Sequence, residues 1–162
     1  MKTALLALIL LLSSCMTGPT HWSVDAIAAG DRIFNSSRMR YTSTQGGEHP
    51  ILFEMVRVGD RIEAYISLTR FKLRSKKIAK VCFTIDSQTF EDSIPVHEGG
   101  MRLTLSEETT QKLIQALQMG HKIAILLDDF EEVLEPNEFS RSFDKFVGEA
   151  GFFQNVFKGP VP

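Results

Sequence analysis

The chain has 162 residues, of which 43% are hydrophobic and 23% are charged, so it can bury a core without metal ions or disulfides. Six prolines and 11 glycines, with no long biased tract, argue against a fibrous or largely disordered protein. A formal net charge of −2 excludes a chain that binds nucleic acid through a generally basic surface. We therefore expect one globular domain that does not bind nucleic acid.

The chain begins with a short apolar stretch. Lys2 precedes nine apolar residues, 4–12, which are followed by Ser13 and Ser14. Nine helical residues rise only about 14 Å, less than half of the roughly 30 Å hydrocarbon core of a bilayer. The pattern predicts a signal peptide over residues 1–14 rather than a transmembrane helix.

The four residues Leu12-Ser13-Ser14-Cys15 resemble the lipobox of bacterial lipoprotein precursors. The resemblance implies cleavage before Cys15 and attachment of diacylglycerol to its sulfur, usually followed by acylation of the new amino group. Such chains anchor a protein because each buried CH₂ contributes about 0.8 kcal/mol. Met16 stands where inner-membrane lipoproteins of that family commonly carry Asp, which implies delivery to the outer membrane. The alternative is an ordinary secretory signal that is cleaved after Cys15.

Residues 15–22 then form a lipidated N-terminus with a short linker, and residues 23–162 form the single globular domain. The six residues that follow Cys15, up to His21, extend at most about 20 Å, which would keep the domain close to the membrane. If Cys15 carries lipid, Cys82 has no intramolecular disulfide partner.

The first half of the domain predicts strands. Residues 23–34 fit either a short helix or a strand, and the polar residues 35–50 predict a loop. A hairpin is expected where Gly59-Asp60 joins two alternating runs, and the alternation continues over Arg70 to Arg74. The strands expected up to the first helix cover residues 51–58, 61–68 with its continuation over 70–74, 80–86, 89–96 and 101–105.

The second half predicts two helices around a strand. Ser106 is a good N-cap for a helix that runs to Met119 and ends at Gly120. Residues 121–127 are apolar on both faces, as in a central strand covered on two sides, and the acidic residues 128–138 suit a loop or a short edge strand. Asn137 would cap the second helix, whose apolar stripe is Phe139, Phe143, Phe146 and Val147 and which ends at Gly148.

These elements predict an α+β fold, a mostly antiparallel sheet or sandwich of about six strands with two helices. An apolar tail follows over residues 152–157 and could form an intermolecular seam. The order and spacing of elements over residues 51–147 resemble bacterial periplasmic domains of the invasion-associated B type. The chain departs from that family because the family's cysteines are missing.

No catalytic or cofactor motif stands out. The histidines His21, His49, His97 and His121 lie one to a segment, without the spacing of a zinc site. Nucleophile elbows, phosphate-binding loops and dinucleotide fingerprints are missing from the sequence, so we expect no cofactor, no metal and no catalytic residue. Cys82 falls on the same strand side as Lys80, which leaves two alternatives: a reactive or intermolecular thiol, or a small covered residue.

Two charged runs remain as candidate sites. Six acidic residues lie within 128–138, and the pairs Asp128-Asp129 and Glu131-Glu132 could perform acid/base chemistry on a glycan, although a solvated acidic loop is the favoured explanation. Six basic residues lie within 11 positions and could contact an anionic surface, or could simply protect a sheet edge. The basic residues are Arg70, Lys72, Arg74, Lys76, Lys77 and Lys80.

The sequence therefore predicts a bacterial envelope lipoprotein with a non-enzymatic binding or structural domain. Its expected partners are membrane lipid through Cys15 and an anionic surface or envelope protein through the basic run. The alternative function is an envelope glycan hydrolase that uses carboxylates of residues 128–135.

Overall fold

The computed structural model describes residues 21–27, 36–43, 51–75 and 77–148. Within them lie nine strands and two helices. The strands are β1 (Trp22–Ile27), β2 (Ser36–Tyr41), β3 (Ile51–Val58), β4 (Arg61–Leu68), β5 (Ile78–Ile85), β6 (Gln88–Pro95), β7 (Arg102–Thr104), β8 (Ile123–Leu127) and β9 (Phe130–Leu134). The helices are α1 (Glu107–Gln118) and α2 (Phe139–Val147).

The strands form two antiparallel sheets. Sheet A has the order β1-β2-β3-β4-β7, and sheet B has the order β6-β5-β8-β9. All pairs are antiparallel. The predicted α+β class is confirmed, and the added strands are the two before residue 50 and the short edge strand β9.

The predicted alternation of β4 is confirmed. Ala64, Ile66 and Leu68 are buried, whereas Tyr65 and Ser67 lie on the other face of the strand. Each successive side chain of a strand points to the opposite face, so an alternating run places its apolar set against the core. Gly59-Asp60 joins β3 to β4 as expected, with a positive φ of 59° at Gly59 that favours glycine.

The predicted loop over residues 35–50 is wrong in its first part. Residues 36–41 form β2, which pairs with both β1 and β3. Its inward residues include Ser37, Met39 and Tyr41, all buried, while Arg38 and Arg40 face outward. The run looks polar because one inward position is a serine, whose hydroxyl donates to the carbonyl of Phe146 at 2.5 Å. Residues 44–50 lie outside the described residues.

The predicted continuation of the strand through Arg74 is also wrong. β4 ends at Leu68, and residues 69–75 belong to no helix or strand. Leu73 is buried and donates its N–H to the carbonyl of Gly100, but Phe71 is 44% exposed and stacks on Phe130. Residues 69–75 cross from sheet A to sheet B. A segment that crosses between sheets cannot continue the backbone hydrogen bonding of either sheet.

Both helices form where the sequence predicts them. Ser106 caps α1 by accepting the N–H of Thr109 at 3.1 Å, and Gly120 follows the helix with a φ of 86°. The expected cap of α2 is wrong, since Glu138, rather than Asn137, occupies the N-cap position. Glu138 has a φ of 63° and makes no side-chain capping bond, and Gly148 ends the helix.

The core lies between the sheets and is rich in aromatic rings. The phenylalanines of α2 pack against Trp22 of β1, with the Phe139 ring centroid 4.9 Å from that of Trp22. Large aromatic side chains each bury roughly 150–250 Å², so they dominate the hydrophobic contribution to folding. The fully buried phenylalanines are Phe53, Phe83, Phe139, Phe143 and Phe146.

β8 lies between β5 and β9, so its predicted central position is confirmed. The expectation that both of its faces are covered is wrong, because Leu126 is 46% exposed on the outer face of sheet B. Ile123, Ile125 and Leu127 are buried on the inner face. Sheet B is therefore covered on one side only at this strand.

Candidate functional site

The described basic residues of the 70–80 run differ in their ion pairs. The guanidinium of Arg74 pairs with Asp129, and its backbone N–H donates to the carboxylate of Asp128 at 3.0 Å. Lys80 pairs with Glu91 of the neighbouring strand at 2.9 Å. Two of the predicted binding cations are thus engaged within the fold.

Three other cations of the run are exposed. Arg70 and Lys72 lie on the segment between β4 and β5, and Lys77 directly precedes β5. Lys76 lies outside the described residues. The segment that carries Arg70 and Lys72 also presents Phe71, so the exposed cations flank an exposed aromatic ring.

The acidic residues do not converge on a common cleft in the described part of the chain. Asp128 and Asp129 form the turn between β8 and β9 and hold Arg74. Glu131 is exposed, whereas Glu132 is buried on the opposite face of β9, and one Glu132 carboxylate oxygen accepts the N–H of Val133 at 3.2 Å. The carboxylates that the hydrolase alternative requires are therefore dispersed over two faces and a turn.

Cys82 lies where the alternation of β5 predicts. It is partly exposed on the outer face of sheet B, between Glu91 of β6 and Leu126 of β8. Lys80 shares this face but is paired with Glu91, so the lysine charge is largely offset next to the thiol.

Three of the four histidines make separate local contacts. His21 stacks on Tyr41 with ring centroids 5.5 Å apart, His97 lies 2.5 Å from the hydroxyl of Thr104, and His121 lies 2.8 Å from the carboxylate of Asp86. His49 lies outside the described residues. Among the residues that are described, no group of three or more potential ligands could hold a metal ion.

The outer face of sheet A carries a polar cluster that the sequence did not predict. Glu54 of β3 is buried and accepts a hydrogen bond from Arg102 of β7 at 2.6 Å. The guanidinium of Arg102 also lies 3.8 Å from the ring centroid of Tyr65, on the strand between them. The hydrogen bond to Glu63 raises the pKa of Tyr65, and partial burial adds to that effect. Glu54, Tyr65 and Arg102 are too far apart in the sequence to form a recognisable motif, so only the pairing of their strands brings them together.

A cleft of about 540 Å³ lies between the β5–β6 hairpin and α1, and it was also missed. Its apolar lining includes Ile85, Phe90 and Met119. The ammonium of Lys112 stands 3.6 Å from the ring centroid of Phe90, and His121 lies at the mouth with its partner on the hairpin turn. No motif signals this cleft, because a hairpin and a helix build it from residues more than 20 positions apart.

No helix among the described residues combines the length and apolar character needed to cross a bilayer. Neither a protein-family model nor a curated protein matches the sequence. Among solved structures, the crystal structure of invasion associated protein b from Bartonella henselae is similar, with a TM-score of 0.49 and 16% sequence identity. The match covers 83% of this chain and 95% of that chain. At this level of similarity it assigns neither a family nor an activity.

Proposed function

We propose that this chain is a lipid-anchored protein of the bacterial cell envelope whose folded domain binds a partner and is not an enzyme. The single observation that carries the proposal is the run Leu12-Ser13-Ser14-Cys15 after a charged residue and nine apolar residues. All four positions fit the lipobox. Met16 supports the outer membrane as the destination.

The start of the fold supports a short tether. His21 and Trp22 are buried, and the indole N–H of Trp22 donates to the carbonyl of Glu135 at 2.8 Å. The fold therefore begins at residues that we had assigned to the linker. Only about 20 Å of chain can separate Cys15 from His21, which would hold the domain next to the membrane.

The dispersed carboxylates support a binding role over the hydrolase. General acid/base cleavage of a glycan needs two carboxyl groups about 5–10 Å apart across one cleft. In the 128–135 segment, Asp129 is tied to Arg74, Glu135 accepts from Lys122 at 2.8 Å, and Glu132 faces the core. Each of these three carboxylates therefore has an ion-pair partner or a position in the core of the fold.

For the binding surface, the proposal rests on the cations of the 70–80 run, among which Arg70, Lys72 and Lys77 are exposed. A cation near an anionic membrane contributes about 1 kcal/mol, so three residues would orient the tethered domain rather than anchor it alone. The lipid at Cys15 would supply most of the membrane affinity.

Metabolic labelling with a palmitate analogue tests the anchor. The wild-type protein is expected to take up label and to partition into the detergent phase, and Cys15→Ala is expected to lose the label because no thiol remains at the acylation position. Cys82→Ala is the matched control and should label like the wild type. An unlabelled wild-type protein that appears as a soluble secreted species would overturn the proposal.

A further inference from the structure

The edge of sheet B next to the cleft has a row of backbone groups that face solvent. β6 is an edge strand that pairs with β5 on one side, and on its other side the chain meets β7 just beyond the strand, at the Val96–Leu103 bridge. In an antiparallel pair, alternate residues direct both N–H and C=O toward the partner strand, and the residues between them direct theirs away. Whether the odd-numbered or the even-numbered residues of β6 bond to β5 decides which backbone groups of β6 face solvent.

Both ends of β6 fix the same phase. A two-residue turn, Asp86-Ser87, closes the hairpin with Ile85 opposite Gln88, and at the other end the N–H of Val96 donates to the carbonyl of Lys77 at 2.8 Å. The even-numbered residues of β6 therefore direct their backbone N–H and C=O groups toward β5. Pro95, which has no N–H to donate, falls at an outward position, in agreement with this phase.

The outward residues are Thr89, Glu91 and Ser93, and their side chains are exposed. Within the described ranges, no group bonds to the backbone N–H of any of the three. Alternating donors and acceptors at strand spacing are complementary to one kind of ligand, an extended polypeptide.

The cleft lies at this edge and would receive side chains of an added strand. Alternate side chains of a strand point to one face, so every second residue of a bound segment would lie on the side of Phe90, where Met119 and Ala116 complete an apolar lining. The ammonium group of Lys112 lies at this lining. It favours a neutral or acidic side chain of the bound peptide over a basic one.

We propose that the edge of β6 and the cleft beside α1 form a binding site for an extended peptide segment of a partner protein, which adds to sheet B as a further strand and places an apolar side chain in the cleft. This site uses residues other than the exposed cations of the 70–80 run. Pro95 has no N–H to donate, so Ser93 is the last residue of β6 with an outward backbone donor. This limits the added strand to about six residues.

The test uses the chain from residue 15 onward with Cys15→Ser, which keeps every described residue. A phage-displayed library of random dodecapeptides is the probe, and enriched peptides are synthesised and titrated. Thr89→Pro should weaken their binding at least tenfold, because it removes an outward N–H while leaving the bonds to β5 in place. Thr89→Val keeps the N–H and should bind within twofold of the unaltered chain.

Amide hydrogen exchange provides a second measurement on the unaltered chain, so the test does not depend on whether Thr89→Pro folds. A bound peptide should protect the amides of Thr89 and Glu91, whereas the amides of Phe90 and Asp92, already bonded to β5, should change little. The absence of enriched peptides, or peptides that bind Thr89→Pro equally well, would overturn the site. Self-association that Thr89→Pro abolishes would also overturn it, because a second copy would then be the occupant.

Discussion

At the scale of single residues, burial separates two ion pairs that have similar geometry. Arg102 reaches Glu54 at 2.6 Å and Lys80 reaches Glu91 at 2.9 Å, and both pairs link different strands. The side chain of Glu54 is only 8% exposed, whereas that of Glu91 is 53% exposed. Water screens the second pair far more strongly than the first.

We predict that Glu54→Ala lowers the free energy of unfolding by about 2 kcal/mol, because a buried hydrogen bond between charged groups is lost. The matched change Glu91→Ala should lower the free energy of unfolding by less than about 1 kcal/mol. Urea denaturation followed by circular dichroism measures both values. Equal losses in the two variants would show that the buried carboxylate is no more important than the surface one.

At the scale of elements, the two helices begin in different ways. Ser106 accepts the N–H of Thr109 and also donates to the hydroxyl of that residue at 3.0 Å. Thr109 in turn donates to Asp92 of β6 at 2.7 Å, so the cap joins α1 to sheet B. Helix α2 starts at Glu138 without a side-chain cap and depends instead on the burial of its phenylalanines.

Ser106→Ala is therefore expected to lower the free energy of unfolding by about 1 kcal/mol, since an N-terminal amide of α1 loses its acceptor. Ser106→Asp should retain most of the stability because its carboxylate can accept the same bond. Thermal unfolding of the three proteins measures the difference. The cap would have no energetic role if alanine and aspartate melted alike.

The elements also show how far periodicity predicts a fold. β3, β4, β5 and α1 follow from alternation or helical spacing, because their inward positions are almost all apolar. β2 does not, because an inward serine interrupts its pattern, and its hydroxyl bonds to groups that are distant in sequence, the carbonyl of Phe146 and the guanidinium of Arg57. The end of β4 was misjudged because residues 70–74 continue the alternation while the chain leaves the sheet.

At the scale of the whole molecule, the fold brings opposite charges next to two cations of the basic run. Asp128, Asp129 and Glu91 lie beside Arg74 and Lys80, so the basic run is partly neutralised within the fold. Lys72 lies on the segment that follows β4, whereas Arg61 begins the same strand at its other end, with its side chain 81% exposed. Eight residues of strand separate these ends by roughly 25 Å.

This arrangement predicts that Lys72→Glu weakens binding of the chain from residue 15, with Cys15→Ser, to phosphatidylglycerol vesicles at low salt by about fivefold. Arg61→Glu makes the same charge change at the opposite end and should alter binding less than twofold. Co-sedimentation measures both. Equal effects would mean that net charge, rather than this segment, controls the contact with the membrane.

The sequence by itself determined the alternation of the central strands, both helices and the α+β class, because each depends on neighbours within about 15 positions. Only the tertiary structure decided that Arg74 and Lys80 are paired, that Glu54 and Arg102 meet across β4, and that β6 is an edge beside a cleft. Those outcomes depend on which strands become neighbours, and strand order follows from burial of the whole core rather than from any local pattern.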